Sequence, residues 1–130
     1  MTIKEGDVFE LKYLLTEAVY KGYIQIFDDR NPLHTNQAFA TGKGFEAEVM
    51  HGGILTGFLS NFIGEQLPLK NVIIQQYKIA FTKPVYLNSL LFFKATVIGF
   101  YESVNCIIFK YEFKNESHLV AKGELTIGLI

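Results

Sequence analysis

Asp29 and His34 stand five positions apart in the run Asp28-Asp29-Arg30-Asn31-Pro32-Leu33-His34, a carboxylate and an imidazole on either side of a proline-stiffened turn. Such a pair can converge on one small site and divide proton transfer between its members. The carboxylate can take a proton from water near neutral pH, and imidazole, which titrates close to physiological pH, can hand one over. Asp, Asn and Pro are also the residues of any tight turn, so these seven positions alone fit an ordinary turn equally well.

The second feature is Val49-Met50-His51-Gly52-Gly53, where the chain passes from a loop into an apolar stretch. A helix N-terminus presents unpaired backbone N–H groups and the positive end of a dipole, and glycine lets a ligand oxygen come close. An oxyanion can be held in this way, although a plain glycine-rich helix start has the same composition. Together, an acid/base pair and an oxyanion donor suit proton transfer next to a thioester carbonyl. The enolate-like charge on the carbonyl oxygen is stabilised, and the water or hydroxyl three carbons in exchanges its proton. The three histidines, His34, His51 and His118, fit no short metal-ligand spacing, so no metal is expected. His51 reads as a structural histidine at the helix start and His118 as a strand residue near a turn.

Two unlike halves must position these groups. Up to about residue 68 the signals are helical and loop-like, and residues 71–129 read as successive strands. A first short strand covers Val8–Leu14. Thr16 then offers an N-cap, with Glu17 in the first turn, for a helix whose Val19, Tyr23, Ile26 and Phe27 fall at helical spacing. Pro32 ends that pattern and a loop is expected to follow, with Thr35 capping one more turn over Asn36–Ala40. Gly52–Leu67 carries apolar residues on nearly every face and reads as one buried helix ended by Pro68; its glycines Gly53, Gly57 and Gly64 suggest close approach of another backbone. The expected strands are Val72–Phe81, Leu90–Phe100, Val104–Phe113 and His118–Leu129. Their short joints favour antiparallel neighbours. A buried helix with an antiparallel sheet is an α+β domain.

Composition narrows the class. The 130 residues fit one domain, and 49% hydrophobic with 19% charged residues describes a globular chain. A mean hydropathy of +0.20, with 12 Phe and 7 Tyr, asks for more covered surface than a small monomer supplies, so self-association is expected. Net charge is −1, and lysines such as Lys43, Lys70, Lys78, Lys94 and Lys122 are scattered, which disfavours nucleic acid as a partner. No basic start with an apolar run and no apolar stretch of about 18 residues is present, which points to a cytoplasmic protein without a membrane partner. The lone Cys106 reads as a buried small hydrophobe, and the Asn115-Glu116-Ser117 tripeptide as a chance sequon.

Phe27 to His34 followed by His51-Gly52 resembles the MaoC-type dehydratases, in particular the (R)-specific enoyl-CoA hydratases. The D-x-N-P-x-H pattern is met by Asp29, Asn31, Pro32 and His34. Leu59-Ser60, Gly64-Glu65-Gln66-Leu67-Pro68 and Phe81-Thr82-Lys83-Pro84-Val85 extend the resemblance over most of the chain. It implies a hot-dog fold, a long antiparallel sheet wrapped around the Gly52–Leu67 helix and paired with a second copy. It further implies hydration of trans-2-enoyl thioesters, or the reverse dehydration of 3-hydroxyacyl thioesters on coenzyme A or acyl carrier protein, with no metal or redox cofactor. Asp29 is expected to activate water, His34 to exchange the proton with substrate, the Gly52 N–H to hold the thioester oxygen and Ser60 to support the site. Asn31, His51 and Gly53 fall in the substrate-binding set. Asp28 and Gly53 depart from the pattern: the first is expected to repel Asp29 if both point inward, the second to reshape the acyl pocket. Two alternatives stay open, an acyl-CoA thioesterase on the same fold and a non-catalytic acyl-thioester-binding subunit.

Overall fold

Residues 2–130 are described by a computed structural model. Period-two alternation is strongest in the C-terminal half, and that half supplies most of the sheet. Five antiparallel strands, β1 (Val8–Leu14), β2 (Val72–Phe81), β3 (Leu90–Tyr101), β4 (Cys106–Lys114) and β5 (Leu119–Leu129), lie in the order β1-β3-β4-β5-β2. On β3, Leu91, Phe93, Ala95 and Val97 point inward, and on β4 Ile107, Phe109, Tyr111 and Phe113 do the same; all are buried. The helix α4 (Gly52–Asn61) lies against this face, burying Ile54, Leu55 and Leu59. Phe62, at its end, meets Phe93 and Phe109 with ring centroids 5.0 and 5.4 Å apart, within the range where aromatic pairs attract. A helix held in the curl of an antiparallel sheet is the hot-dog architecture.

Several expectations change in detail. Gly52–Leu67 is not one α-helix, because it passes into a π-helical turn over Phe62–Gln66. Nor is it buried all round: Gly57, Ser60, Asn61 and Gly64 are exposed, and Gly57 and Gly64 have no neighbour where a side chain would begin. Those two glycines therefore serve no close packing within the chain. Val104 falls in a 3₁₀ turn before β4, and Asn105 reverses the chain in the left-handed region (φ 51°). Cys106, at the first position of β4, is only half-buried. β2 and β3 are not neighbours despite their short joint. β2 pairs with β5 as an edge strand, and the segment after it crosses over α4's N-terminus, tied down where Met50 N–H donates to Val85 O at 2.8 Å. That crossing carries Phe81 to Val85 to the site.

Helix α1 (Glu17–Phe27) is capped by Thr16, whose hydroxyl oxygen accepts from Val19 N–H at 3.2 Å, and Asp28 ends it in the left-handed region (φ 56°). After it comes no loop but a short helix, α2 (Pro32–Thr35). Proline suits a first helical position, where its missing N–H has no partner to lose, and Asn31 caps the turn by accepting from Leu33 N–H at 2.9 Å. The next helix, α3 (Gln37–Gly42), is capped by Asn36 and not by Thr35, whose hydroxyl bonds back to Arg30 and Asn31 carbonyls. Among the described residues no helix is long and apolar enough to cross a membrane.

Candidate active site

Asp29, His34 and His51 are drawn together by three short elements: the Asp28 turn after α1, the Asn31-capped α2, and the N-terminus of α4. The Asp29 side chain is half exposed and His34 mostly buried, with Asp29 Oδ2 3.8 Å from His34 Nε2. Each is held by its other polar atom. Asp29 Oδ1 accepts from Asn31 N–H at 3.2 Å, and His34 Nδ1 lies 2.6 Å from the Val49 carbonyl. A carbonyl can only accept, so Nδ1 carries a hydrogen, and Nε2 is the ring atom turned toward the carboxylate, an acceptor in the neutral ring and a donor in the imidazolium. The 3.8 Å gap exceeds a direct hydrogen bond and leaves room for one oxygen to touch both atoms. Sequence spacing had left this pair indistinguishable from a turn; the fold makes both of them at once.

His51 is 2% exposed and supports the pair from beneath. Its Nε2–H donates to the Asp29 carbonyl at 2.8 Å, and its ring lies against that of His34, tilted by 31° with centroids 4.0 Å apart. Burial, with help from His34, holds its pKa below the ordinary imidazole value, against the opposing pull of the Asp29 carbonyl and carboxylate. Its Nδ1 is buried with no partner among the described residues. The unfolded chain therefore takes up a proton at this residue at a higher pH than the folded one does, so stability falls as pH drops below about 6.5. We expect the melting temperature of the wild type to fall on acidification more steeply than that of His51→Gln, which keeps an N–H donor but does not titrate. Equal slopes in calorimetry would contradict it. His51 thus touches both members of the pair, through the Asp29 carbonyl and the His34 ring.

Two tyrosines of α1, which sequence reasoning passed over, complete the support. Tyr20 donates its hydroxyl to the His34 carbonyl at 2.5 Å; burial, and secondarily Glu48, raises its pKa, so it remains a donor. Tyr23 packs on His51 in a tilted arrangement, 4.6 Å between centroids. Its hydroxyl occupies the space where a Gly53 side chain would begin. Gly53 is therefore filled from α1, and the departure at that position changes what fills the space and leaves no void. Tyr23 was visible in the sequence only as one member of a helical stripe.

Gly52 is the first residue of α4, and its N–H has no acceptor among the described residues. It lines a cavity of about 390 Å³ together with His34, Phe45, Met50, Leu55 and Phe81. A Cβ on Gly52 would lie 2.6 Å from Phe81 Cζ, so the ring closes over this glycine. Asp28 does not face the site. Its carboxylate pairs with Arg30 Nε at 2.6 Å on the exposed side, because the left-handed turn points it outward, and the expected repulsion with Asp29 does not arise. Asn31 spends its side-chain oxygen on capping α2. Ser60 is exposed and lies eight residues beyond Gly52, about 12 Å along the helix at 1.5 Å per residue, so the single chain does not bring it to the pair. His118 is exposed before β5 and takes no part. Asp29, His34 and His51 offer donor atoms within 4.8 Å of one another, a grouping that sequence spacing had not suggested and that could accept a cation.

A hot-dog domain carrying a carboxylate–imidazole pair at the helix N-terminus is the class these features define. The sequence profile of the MaoC like domain matches residues 2–118, and the chain belongs to that family. It is 26% identical over 125 residues to the (R)-specific enoyl-CoA hydratase of Rhodospirillum rubrum, covering 96% of this chain and 87% of that protein. It is 28% identical over 128 residues to the mitochondrial 3-hydroxyacyl-[acyl-carrier-protein] dehydratase of Arabidopsis thaliana, covering 95% of this chain and 76% of that one. The crystallised (R)-hydratase from A. caviae, involved in PHA biosynthesis, superposes with a TM-score of 0.89 at 25% identity, over 99% of this chain and 98% of that one.

Proposed function

We propose that the protein is a hydro-lyase of fatty-acid metabolism that interconverts trans-2-enoyl and (R)-3-hydroxyacyl thioesters. The observation that carries this reading is the free Asp29 Oδ2 facing His34 Nε2 across 3.8 Å, beside the unpartnered Gly52 amide. In hydration, a water seated between the two gives a proton to Asp29 as its oxygen bonds to C3. The double-bond electrons move through C2 onto the thioester oxygen, which the Gly52 N–H holds. Imidazolium His34 then donates its Nε2 proton to C2 as the enolate collapses, and the proton on Asp29 passes to His34 to restore the starting state. Both groups act from one side of the substrate, which makes the addition syn. No metal or redox group enters the balance. The binding-subunit reading loses its support here, since Asp28 is turned away and Gly53 is filled, while hydrolysis on the same fold is left to the test below.

The direct test is the loss of enoyl absorbance on mixing with crotonyl-CoA and longer analogues, with free-thiol detection in parallel. Thiol release without absorbance loss would sink the hydratase reading in favour of hydrolysis. We further read residues 1–130 as one catalytic domain working as a homodimer in the cytoplasm. β2 supports pairing: it is an edge strand with unpaired backbone groups and with Ile73 and Tyr77 exposed, a surface that invites a second copy. Sedimentation is expected to give a dimer, and a fully active monomer would overturn this part.

A further inference from the structure

A neutral imidazole has one N–H and one lone pair, and both imidazoles of the site commit the N–H to a backbone carbonyl. His34 Nδ1 lies 2.6 Å from the Val49 carbonyl, which leaves the lone pair on Nε2, 3.8 Å from Asp29 Oδ2. His51 Nε2 lies 2.8 Å from the Asp29 carbonyl, which leaves its lone pair on Nδ1, buried and without a partner among the described residues. Burying a polar atom unpaired is unfavourable, so the fold keeps a basic nitrogen that nothing in the chain satisfies. One ring nitrogen fixed on a carbonyl and the other left bare is also how proteins hold a histidine for a metal ion.

We propose that Asp29, His34 and His51 form an inhibitory site for a divalent ion of the zinc class. One donor atom from each lies within 4.8 Å of the other two, and among the described residues no other group of three histidine, cysteine or carboxylate side chains is placed to hold an ion. Ligands about 2.1 Å from a tetrahedral zinc ion stand roughly 3.4 Å from one another. The gap between Asp29 and His34 is already near that figure, and the half-exposed Asp29 side chain can turn to close the rest. Two imidazoles with one carboxylate favour zinc, cobalt or nickel over magnesium and calcium, which take oxygen ligands. His34 lines the cavity at Gly52, so a fourth position stays open to water there. An ion so held occupies the two atoms that hydration needs free, Asp29 Oδ2 and His34 Nε2, and takes the place of the water between them. The binding stands independently of the hydratase reading; only the inhibition rests on it.

Chelator-treated protein titrated with Co²⁺, a coloured substitute for Zn²⁺, is expected to develop the intense visible bands of a four-coordinate ion at one ion per chain, and to lose them when Zn²⁺ is added. In calorimetry with Zn²⁺, His34→Ala and Asp29→Asn should each weaken binding by about 10²-fold or more, since removing a group that merely steadies a ligand already costs about 10- to 100-fold. His51→Gln, which replaces a basic nitrogen with an amide, should weaken it by at least about ten-fold. The double variant Cys106→Ser/His118→Gln removes the one cysteine and the one histidine outside the site and should bind as the wild type does. Hydration of crotonyl-CoA should fall in step with Zn²⁺ occupancy and return on adding EDTA. Absence of the bands and of binding heat, or an affinity unchanged in both His34→Ala and Asp29→Asn, overturns the proposal, as does undiminished hydration by the fully loaded protein. A metal-free protein that hydrates no enoyl thioester would strike the hydratase reading instead, and the cobalt bands would still decide the site.

Discussion

Asp29→Asn and His34→Ala are each expected to lower kcat/KM for crotonyl-CoA by about 10³-fold, the loss that follows when one member of a general acid/base pair is removed. The two variants are informative because neither should disturb the fold. Asparagine keeps the oxygen that accepts from Asn31 N–H, so the turn before α2 persists. His34→Ala gives up the bond to the Val49 carbonyl, but Val49 N–H still donates to Leu33 O and holds the two segments together. Circular dichroism and melting should therefore be near wild type while turnover is lost. The double variant is expected to be little worse than either single one, because water activation and proton return are halves of one cycle. Full activity in either single variant would remove the proposed chemistry; an additive double loss would show two independent functions in place of a shared proton path.

Much of this site was legible in the sequence because its parts are local. Thr16 as a cap and the strand at Val8–Leu14 both follow from short-range rules, and each agrees with the folded chain. The misreadings share a cause. The pairing of β2 with β5 and the exposure of one α4 face depend on what the rest of the molecule places nearby. A short joint such as Lys83–Asn88 is compatible with a hairpin until another strand takes the neighbouring position, as β5 does. Asp28 could not be oriented without knowing that α1 ends in a left-handed residue. Tyr20 went unmarked and Tyr23 was readable only as a member of an apolar stripe, since a side chain's touch on a carbonyl or a glycine across the fold leaves no spacing signal. Gly53 shows the consequence most clearly: the residue that compensates for it lies thirty positions away, in another helix.

Phe81 is the natural place to probe that kind of coupling, and Gly52→Ala is expected to cost about 10²-fold in kcat/KM, the penalty of displacing reacting groups by about an ångström. The new Cβ would lie 2.6 and 2.9 Å from Phe81 Cζ and Cε1, and the Gly52 backbone cannot retreat because it begins a helix packed on the core. Something must move, and the ring is the free partner, being 54% exposed at the end of an edge strand. The damage therefore falls on the wall of the acyl cavity and the aim of the Gly52 N–H, with little change in melting temperature. Phe81→Ala in the Gly52→Ala background removes the clash and should restore most of the activity lost, a non-additivity that two independent effects cannot produce. A double variant as weak as Gly52→Ala alone would place the fault elsewhere, in the methyl group's own obstruction of the oxygen that the amide is proposed to hold.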